Sequence, residues 1–302
     1  MPPGPGLARL SIRFRSIVTL DSISGSPHPA KTRFRLRCPH TVSLTPPRTV
    51  HVTRYVTPLR EGGSLPAIVE ADDDGLYVLK FRGAGQGPRA LIAELLAGGL
   101  ARACGLPIPE MVFAELDAEL ARTEPDPEIH ALILDSAGLN FALDYLPGAV
   151  TYDPVAMKVD ADLASRVVWF DAFVSNVDRT PRNTNILLWH STPWLIDHGA
   201  ALYFHHAPDW LDGIQPGVDP FSHIRQHVLL RYARRLREVD GEMASRLTRE
   251  AVETIAGWIP ESWLVSRGEP RSAAEQRSDY VRYLMNRLEC RDTFVEEAIS
   301  AR

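Results

Sequence analysis

Cysteine is scarce in this chain: three residues in 302, Cys38, Cys104 and Cys290, far apart, odd in number and without a CxxC pair. That argues against a disulfide framework and a thiolate zinc site, and it points to a reducing compartment, with the cytoplasm as the expected location. No apolar run approaches the roughly 20 residues that a membrane span needs, so no membrane role is expected. A GxS nucleophile elbow is missing, which leaves acyl transfer without support. No internal repeat recurs at a period of about 20 to 50 residues. Acidic residues are almost lacking in the first 60 positions, where Asp21 stands alone against ten Lys or Arg; the remainder holds 23 basic and 37 acidic residues and is about 14 charges negative. Such a body offers no basic groove for nucleic acid, so direct nucleic-acid binding is not expected.

At about 100 to 200 residues per domain, the length allows one large domain or two modest ones. The 45% apolar and 24% charged content are those of an ordinary globular protein. Residues 1–48 are rich in Pro, Ser and Arg, hold no sustained period, and are expected to form a poorly ordered basic extension. From residue 49 the texture changes. TVHVTRYV, LPAIVEA and LYVLKF predict strands joined by tight turns, one of them the acidic DDDG. Pro88 at a first helical position, a stripe of Leu91, Ile92, Leu95, Leu96, Gly99 and Ala103, and a stop at Gly105 predict a helix. MVFAEL and FALDYL again read as strands. Beyond Pro147 the pattern is mainly helical, in DLASRVVWFDAFVSN, HIRQHVLLRYARRLREV, EMASRLTREAVETIAGWI and SDYVRYLMNRLECRDTFVEEAI. Strands first and helices later predict an α+β chain in two lobes, 49–146 and 147–302.

The segment from Val174 to Ala200 carries the most chemistry. It holds Asp178-Arg179, Asn183 five residues after the aspartate, Asn185 two further on, the apolar strand ILLW, a turn STP, the strand WLI, and then Asp197-His198-Gly199. Clusters of Asp, Asn, Pro and Thr are ordinary turn formers, and a lone DRxxxN would read as a solvated loop. The order of these features changes that reading. Phosphoryl transfer needs one carboxylate near the acceptor hydroxyl and separate oxygen ligands for magnesium. Two strands of about four residues return the chain to its start, which places Asp197 beside the loop of Asp178.

Upstream, alternation in LYVLKF puts Tyr77, Leu79 and Phe81 on one face of a strand and Lys80 on the other, where it is placed to reach nucleotide phosphates. Glu94 lies at the rim of the helix's apolar face, within reach of that lysine. Alone, a strand-end Lys is usually a solvated charge and a Glu on a helix rim is usually exposed. Arg60-Glu61-Gly62-Gly63-Ser64 sits between two strand-like runs and is either a plain hairpin turn or a glycine loop whose amides approach phosphates. The GAGQG run at 83–87 is a second such candidate, with a helix start behind it.

Together these stretches resemble the HipA-like kinase family, related to the protein-kinase-like and phosphoinositide-kinase fold. The likeness covers roughly residues 50 to 300, and DRTPRNTN with IDHGAAL is its most specific part. It implies a small antiparallel-sheet N-lobe with one helix and a larger helical C-lobe. It also implies an ATP- and Mg2+-dependent kinase that moves the γ-phosphate to a hydroxyl, with Ser or Thr of a protein as acceptor. By that likeness Asp178 is the catalytic base, Asn183 and Asp197 bind magnesium, Lys80 meets the ATP phosphates and Glu94 holds Lys80. The backbone around Asp144, Tyr145 and Leu146 would face adenine as a hinge. Asn185 directly precedes the strand, so it and Asn183 can exchange the metal role. A protein substrate is implied as a partner, and an antitoxin-like partner is a candidate. Two departures stand out: Asn176 occupies the place where typical protein kinases have His, and DHG stands for DFG.

Two readings of other classes compete. A metal-dependent hydrolase would use the downstream histidines, His190, His198, His205, His206, His223 and His227; the last two are four apart in an expected helix and would share a face, though no Glu follows His223 as in HExxH. A non-catalytic pseudokinase or partner-binding module would lack part of the Asp178, Asn183 and Asp197 set, which is intact here.

Overall fold

The computed structural model describes residues 44–59, 65–85, 87–207, 210, 218–265 and 270–302, all of them within one compact unit. The predicted Gly62, Gly63 and Ser64 loop lies outside these residues. Strands lead and helices follow, the α+β order expected of a kinase-like chain. Five strands, β1 (Arg48–Pro58), β2 (Ala67–Ala71), β3 (Leu76–Lys80), β4 (Met111–Leu116) and β5 (Gly138–Asp144), form a sheet in the order β1-β2-β3-β5-β4. Its antiparallel pairs were expected. Its closure was not: the first residues of β1 pair in parallel with β4, Arg48 opposite Val112 through His51 opposite Glu115, so the sheet forms a barrel. Inward-facing Val50, Val52, Val69, Tyr77, Leu79 and Ala142 fill it as a core of their own.

Helix α1 (Pro88–Ala103) begins after Gly87, whose φ of 67° suits glycine, and has Pro88 in its first turn. It ends as predicted, because Gly105 (φ 74°) lets its own amide reach the Arg102 carbonyl at 2.9 Å and the Leu106 amide reach Ala101 at 2.9 Å, the Schellman pattern that satisfies a helix's last carbonyls. The helix is buried on nearly every side rather than along one stripe. It packs on the outer barrel face at Met111 and Phe113 and also on α5 (Arg249–Gly257) and α6 (Glu261–Leu264), so its core is continuous with that of the helical part.

The connection after β4 holds a helix that the sequence reading left as an acidic Pro-containing stretch: α2 (Pro127–Asp135), with Asp126 accepting from the Glu128 amide as N-cap. After β6 (Val150–Thr151) come α3 (Ala161–Phe173), the hairpin β7 (Ile186–Trp189) and β8 (Thr192–Leu195), then α4 (Leu236–Arg246), α7 (Ala273–Glu289) and α8 (Arg291–Ala301). Three predicted helical runs are interrupted, the last of them, SDYVRYLMNRLECRDTFVEEAI, at Cys290 between α7 and α8. Residues 222–232 fold as short 3-10 turns, starting from Phe221 at φ 57°. The run through 242–259 breaks at Thr248, whose hydroxyl caps α5 by accepting from the Ala251 amide.

The α1–α5 contact is set by a glycine. A methyl group at Gly99 would stand 2.7 Å from Ile255 Cγ2 and 2.9 Å from the Trp258 ring. Gly99→Ala is therefore expected to lower stability by about 1–3 kcal/mol through overpacking, read as a lower urea midpoint. Gly241→Ala, in α4 with nothing within 4 Å, is expected to raise it by about 0.5–1 kcal/mol.

Candidate active site

Lys80 ends β3 on the face opposite the barrel core, where three parts of the chain converge. Its Nζ lies 2.7 Å from Asp197 Oδ1 and 3.1 Å from Glu94 Oε1. Lys80 is 8% exposed and Glu94 2%, so the glutamate predicted at a helix rim is a buried charge inside a buried helix. Glu94 makes a second contact, accepting from the His198 amide at 2.8 Å. One carboxylate thus holds both the lysine and the backbone next to Asp197, whose φ is 54°.

Burial pushes the Lys80 ammonium down, yet Glu94 and Asp197 outweigh it and hold the group above its ordinary value. Burial works against the Asp197 carboxylate, but Lys80, with smaller help from Glu94 and His198, outweighs it and leaves the group lowered. Glu94 moves the other way, since burial and the charge of Asp197 exceed what the shared lysine returns. One ammonium between two carboxylates leaves the site short of positive charge.

The turn after α3 holds the second group. Asp178 is half-buried; its Oδ2 accepts from Asn183 Nδ2 at 2.7 Å and lies 3.4 Å from Asn185 Nδ2. Burial raises its carboxyl above the usual range, while those two amides pull it back in part. The hairpin does what its spacing predicted: Ile186 pairs with Leu195 and Trp189 with Thr192, the Ile196 amide reaches the Asn185 carbonyl at 3.1 Å, and Asn185 Nδ2 comes within 3.5 Å of the Asp197 carbonyl. Asn185 is buried, whereas Asn183 is exposed.

Beneath both groups lies a network that the sequence reading missed. Arg179, 1% exposed, donates from Nε to Asp171 Oδ2 at 2.5 Å, from Nη1 to the carbonyls of Asn185 and, at 3.4 Å, Ile196, and from Nη2 to His198 Nε2 at 3.2 Å. Asp171 also accepts from Asn176 Nδ2 at 3.1 Å and His227 Nε2 at 2.9 Å. His227 Nδ1 accepts from the Leu229 amide at 3.0 Å, which fixes the proton on Nε2. Burial keeps the His227 ring below its ordinary value, so its contact with Asp171 is a hydrogen bond from a neutral ring. His198 is pushed down to about 3 by burial and by the charge of Arg179. Burial would raise the Asp171 carboxyl, but Arg179 and His227 outweigh it and hold it far below the carboxylate range. The clearest signal in the sequence was Asp171, an acid inside the apolar run VVWFDAFV.

Around these groups, the amides of Asp144 and Tyr145 bond to the carbonyls of Glu110 and Leu76 at 2.8 and 2.9 Å. The Leu146 amide has no partner among the described residues. In the second glycine run, Gly85 (φ 49°) and Gly87 (φ 67°) hold backbone that favours glycine. The histidines do not gather. His223 is exposed on a 3-10 turn while His227 is buried on Asp171, because no α-helix forms there to align them. His205 Nδ1 meets the Tyr280 hydroxyl at 3.0 Å. Among the described residues no three His, Cys, Asp or Glu side chains come close enough together to hold a metal ion. Magnesium asks for less, since it binds through one or two carboxylates with water and phosphate oxygens. Asp197, an asparagine amide oxygen and a site short of positive charge fit such an ion.

Over residues 52–298 the chain matches the family described as HipA-like kinase. No curated protein matches its sequence. Among solved structures it is similar to a Helicobacter pylori proinflammatory kinase, CtkA, at 12% identity and a TM-score of 0.44, covering 84% of this chain and 98% of that one. It is also similar to the Golgi casein kinase, at 14% identity and a TM-score of 0.41 over 85% of this chain and 73% of that one. The Golgi casein kinase with Mn/ADP bound gives 14%, 0.43, 84% and 74%.

Replacing Asp171 would leave Arg179 buried without its counter-charge. Asp171→Ala is therefore expected to lower stability by about 3–5 kcal/mol in urea unfolding at neutral pH. Because its folded value is depressed, the contribution of Asp171 is complete above the ordinary aspartate value of about 3.9 and is lost as pH falls towards the depressed one. The difference between wild type and variant should accordingly shrink in acid.

Proposed function

The chain belongs to the HipA-like kinase family, a family of phosphotransferases, and on that premise we propose that it is an ATP- and Mg2+-dependent kinase acting on a hydroxyl, with Ser or Thr of a protein as acceptor. The observation that carries this reading is Lys80, brought within 3.1 Å of Glu94 and 2.7 Å of Asp197 from 117 residues away, beside the Asp178 loop.

In this reading Asp178 orients the acceptor hydroxyl and takes its proton as that oxygen bonds to the γ-phosphorus; the bond from phosphorus to the β–γ bridging oxygen breaks and ADP leaves. Lys80 stabilises charge on the phosphates, and Glu94 keeps the ammonium in place. Asp197 and Asn183 hold the cation; the Asn183 amide nitrogen is engaged with Asp178, which leaves its oxygen as a ligand, and Asn185 is the alternative. A magnesium ion bound there would neutralise phosphate oxygens. The Leu146 amide, without a partner among the described residues, is the hinge donor for adenine, with Asp144 and Tyr145 holding the hinge to the sheet. The glycines at 85 and 87 are the phosphate-facing backbone.

Incubation with labelled ATP and Mg2+ or Mn2+, alone and with lysate, beside Asp178→Ala and Asp197→Ala, tests the proposal. Transfer that vanishes in both variants supports it. Nucleotide binding without transfer by the wild type favours a pseudokinase.

Loss of the base should lower kcat by about 10²–10⁴-fold in Asp178→Asn. Asp178 works deprotonated and its value is raised by burial, so the rate should climb with pH through a midpoint above the ordinary aspartate value of about 3.9. Asn183→Ala removes a donor that holds that value down, and the acid limb of its pH–rate profile should move to higher pH.

A further inference from the structure

We propose that Arg179 is a positioning residue for the reaction, the joint that fixes the segment carrying Asp178 relative to the segment carrying Asp197; this rests on the kinase reading above. The argument is geometric. Arg179 follows Asp178 directly, and its guanidinium donates to the Asn185 carbonyl, which also receives the Ile196 amide at 3.1 Å. It further reaches the Ile196 carbonyl, one residue before Asp197, and the His198 ring, one residue after it. Its own carbonyl accepts from the Val228 amide at 3.0 Å. Both flanks of Asp197 and the residue following Asp178 are thereby referred to one rigid planar group.

The group is itself held. Asp171 on α3 takes Nε, and Asp171 is in turn held by Asn176 and by neutral His227. Arg179 and Asp171 balance each other, so the joint adds little net charge to a site already short of positive charge. Only the guanidinium fork can meet these acceptors in their different directions; an ammonium donates from a single point and cannot span them. Rates fall steeply with small misplacement of reacting groups, by about 100-fold for 1 Å, so a loosened joint should be costly without any loss of a group that touches substrate.

Arg179→Lys separates this role from charge and from bulk stability. The expected result is a cooperatively folded protein whose kcat is lower by about 100-fold while its KM for ATP stays within about twofold of the wild type. Amide hydrogen exchange of the ligand-free protein gives a readout without catalysis: the Ile196 amide should exchange at least about tenfold faster, with α3 and α7 unchanged. A second pair of variants decides the matter if Arg179→Lys does not fold. His198→Gln keeps an acceptor for Nη2 and should retain most of kcat, whereas His198→Leu removes it and should not. Unchanged kcat and unchanged Ile196 exchange in Arg179→Lys, or equal activity in the two His198 variants, would overturn the proposal. A wild type that transfers no phosphate overturns the kinase reading instead, and the exchange measurement still judges the joint.

Discussion

An ammonium buried between two carboxylates is the constraint that the rest of this fold serves. Lys80, Glu94 and Asp197 come from a strand, a helix and the end of a hairpin, and neither Lys80 nor Glu94 could be buried alone, since an unpaired ion in a protein interior costs several kcal/mol. The convergence therefore specifies structure. It fixes how far α1 lies from the barrel, and it requires the β7–β8 hairpin to bring Asp197 back under β3. α1 can meet this demand because it is apolar on nearly every other side and is gripped by α5 and α6 as well as by the barrel. A buried ion cluster gives little net stability; what it supplies is placement.

Two charge systems lie side by side here, and their difference is instructive. Arg179 and Asp171 form a matched pair whose remaining hydrogen-bonding capacity is taken up by Asn176, His227, His198 and backbone carbonyls. Nothing in it is left to react. Around Lys80 the count does not close: one cation faces Glu94 and Asp197, and Asp178 stands nearby with a raised carboxyl. A satisfied network rigidifies, while a site short of positive charge stores attraction for a cation. The first holds the backbone on which the second is mounted.

Much of this was legible in local pattern. Alternation in LYVLKF assigned Lys80 to the face away from the barrel core, Pro88 and Gly105 bounded α1, and the short run ILLW-H-STP-WLI predicted a hairpin that returns Asp197 to the Asp178 loop. Non-local features were not legible. Parallel pairing of β1 with β4 joins residues some 60 positions apart, and no turn signal announces it. Asp171 and His227, 56 residues apart, gave only separate hints, an acid in an apolar run and a histidine read as half of a metal pair. Helix ends in the second half slipped for a different reason: Thr248 interrupts a run whose periodicity continues across it, and its capping bond decides against the period.

The two departures from the usual protein-kinase pattern touch the same charged pair. Asn176 stands where those enzymes have His, and His198 where they have Phe; they are 22 residues apart in sequence, yet both touch the Arg179–Asp171 pair. Asn176 donates to Asp171 and accepts from the Asp178 amide at 3.2 Å, while His198 accepts from Arg179. An apolar ring at 198 would leave a guanidinium donor buried and unmet, and a side chain at 176 without both a donor and an acceptor would lose either Asp171 or the Asp178 backbone. Each polar choice makes sense only with a charged hub beneath it. Both side chains thus belong to one hydrogen-bonded joint between the Asp178 loop and the segment carrying Asp197, built around a single arginine.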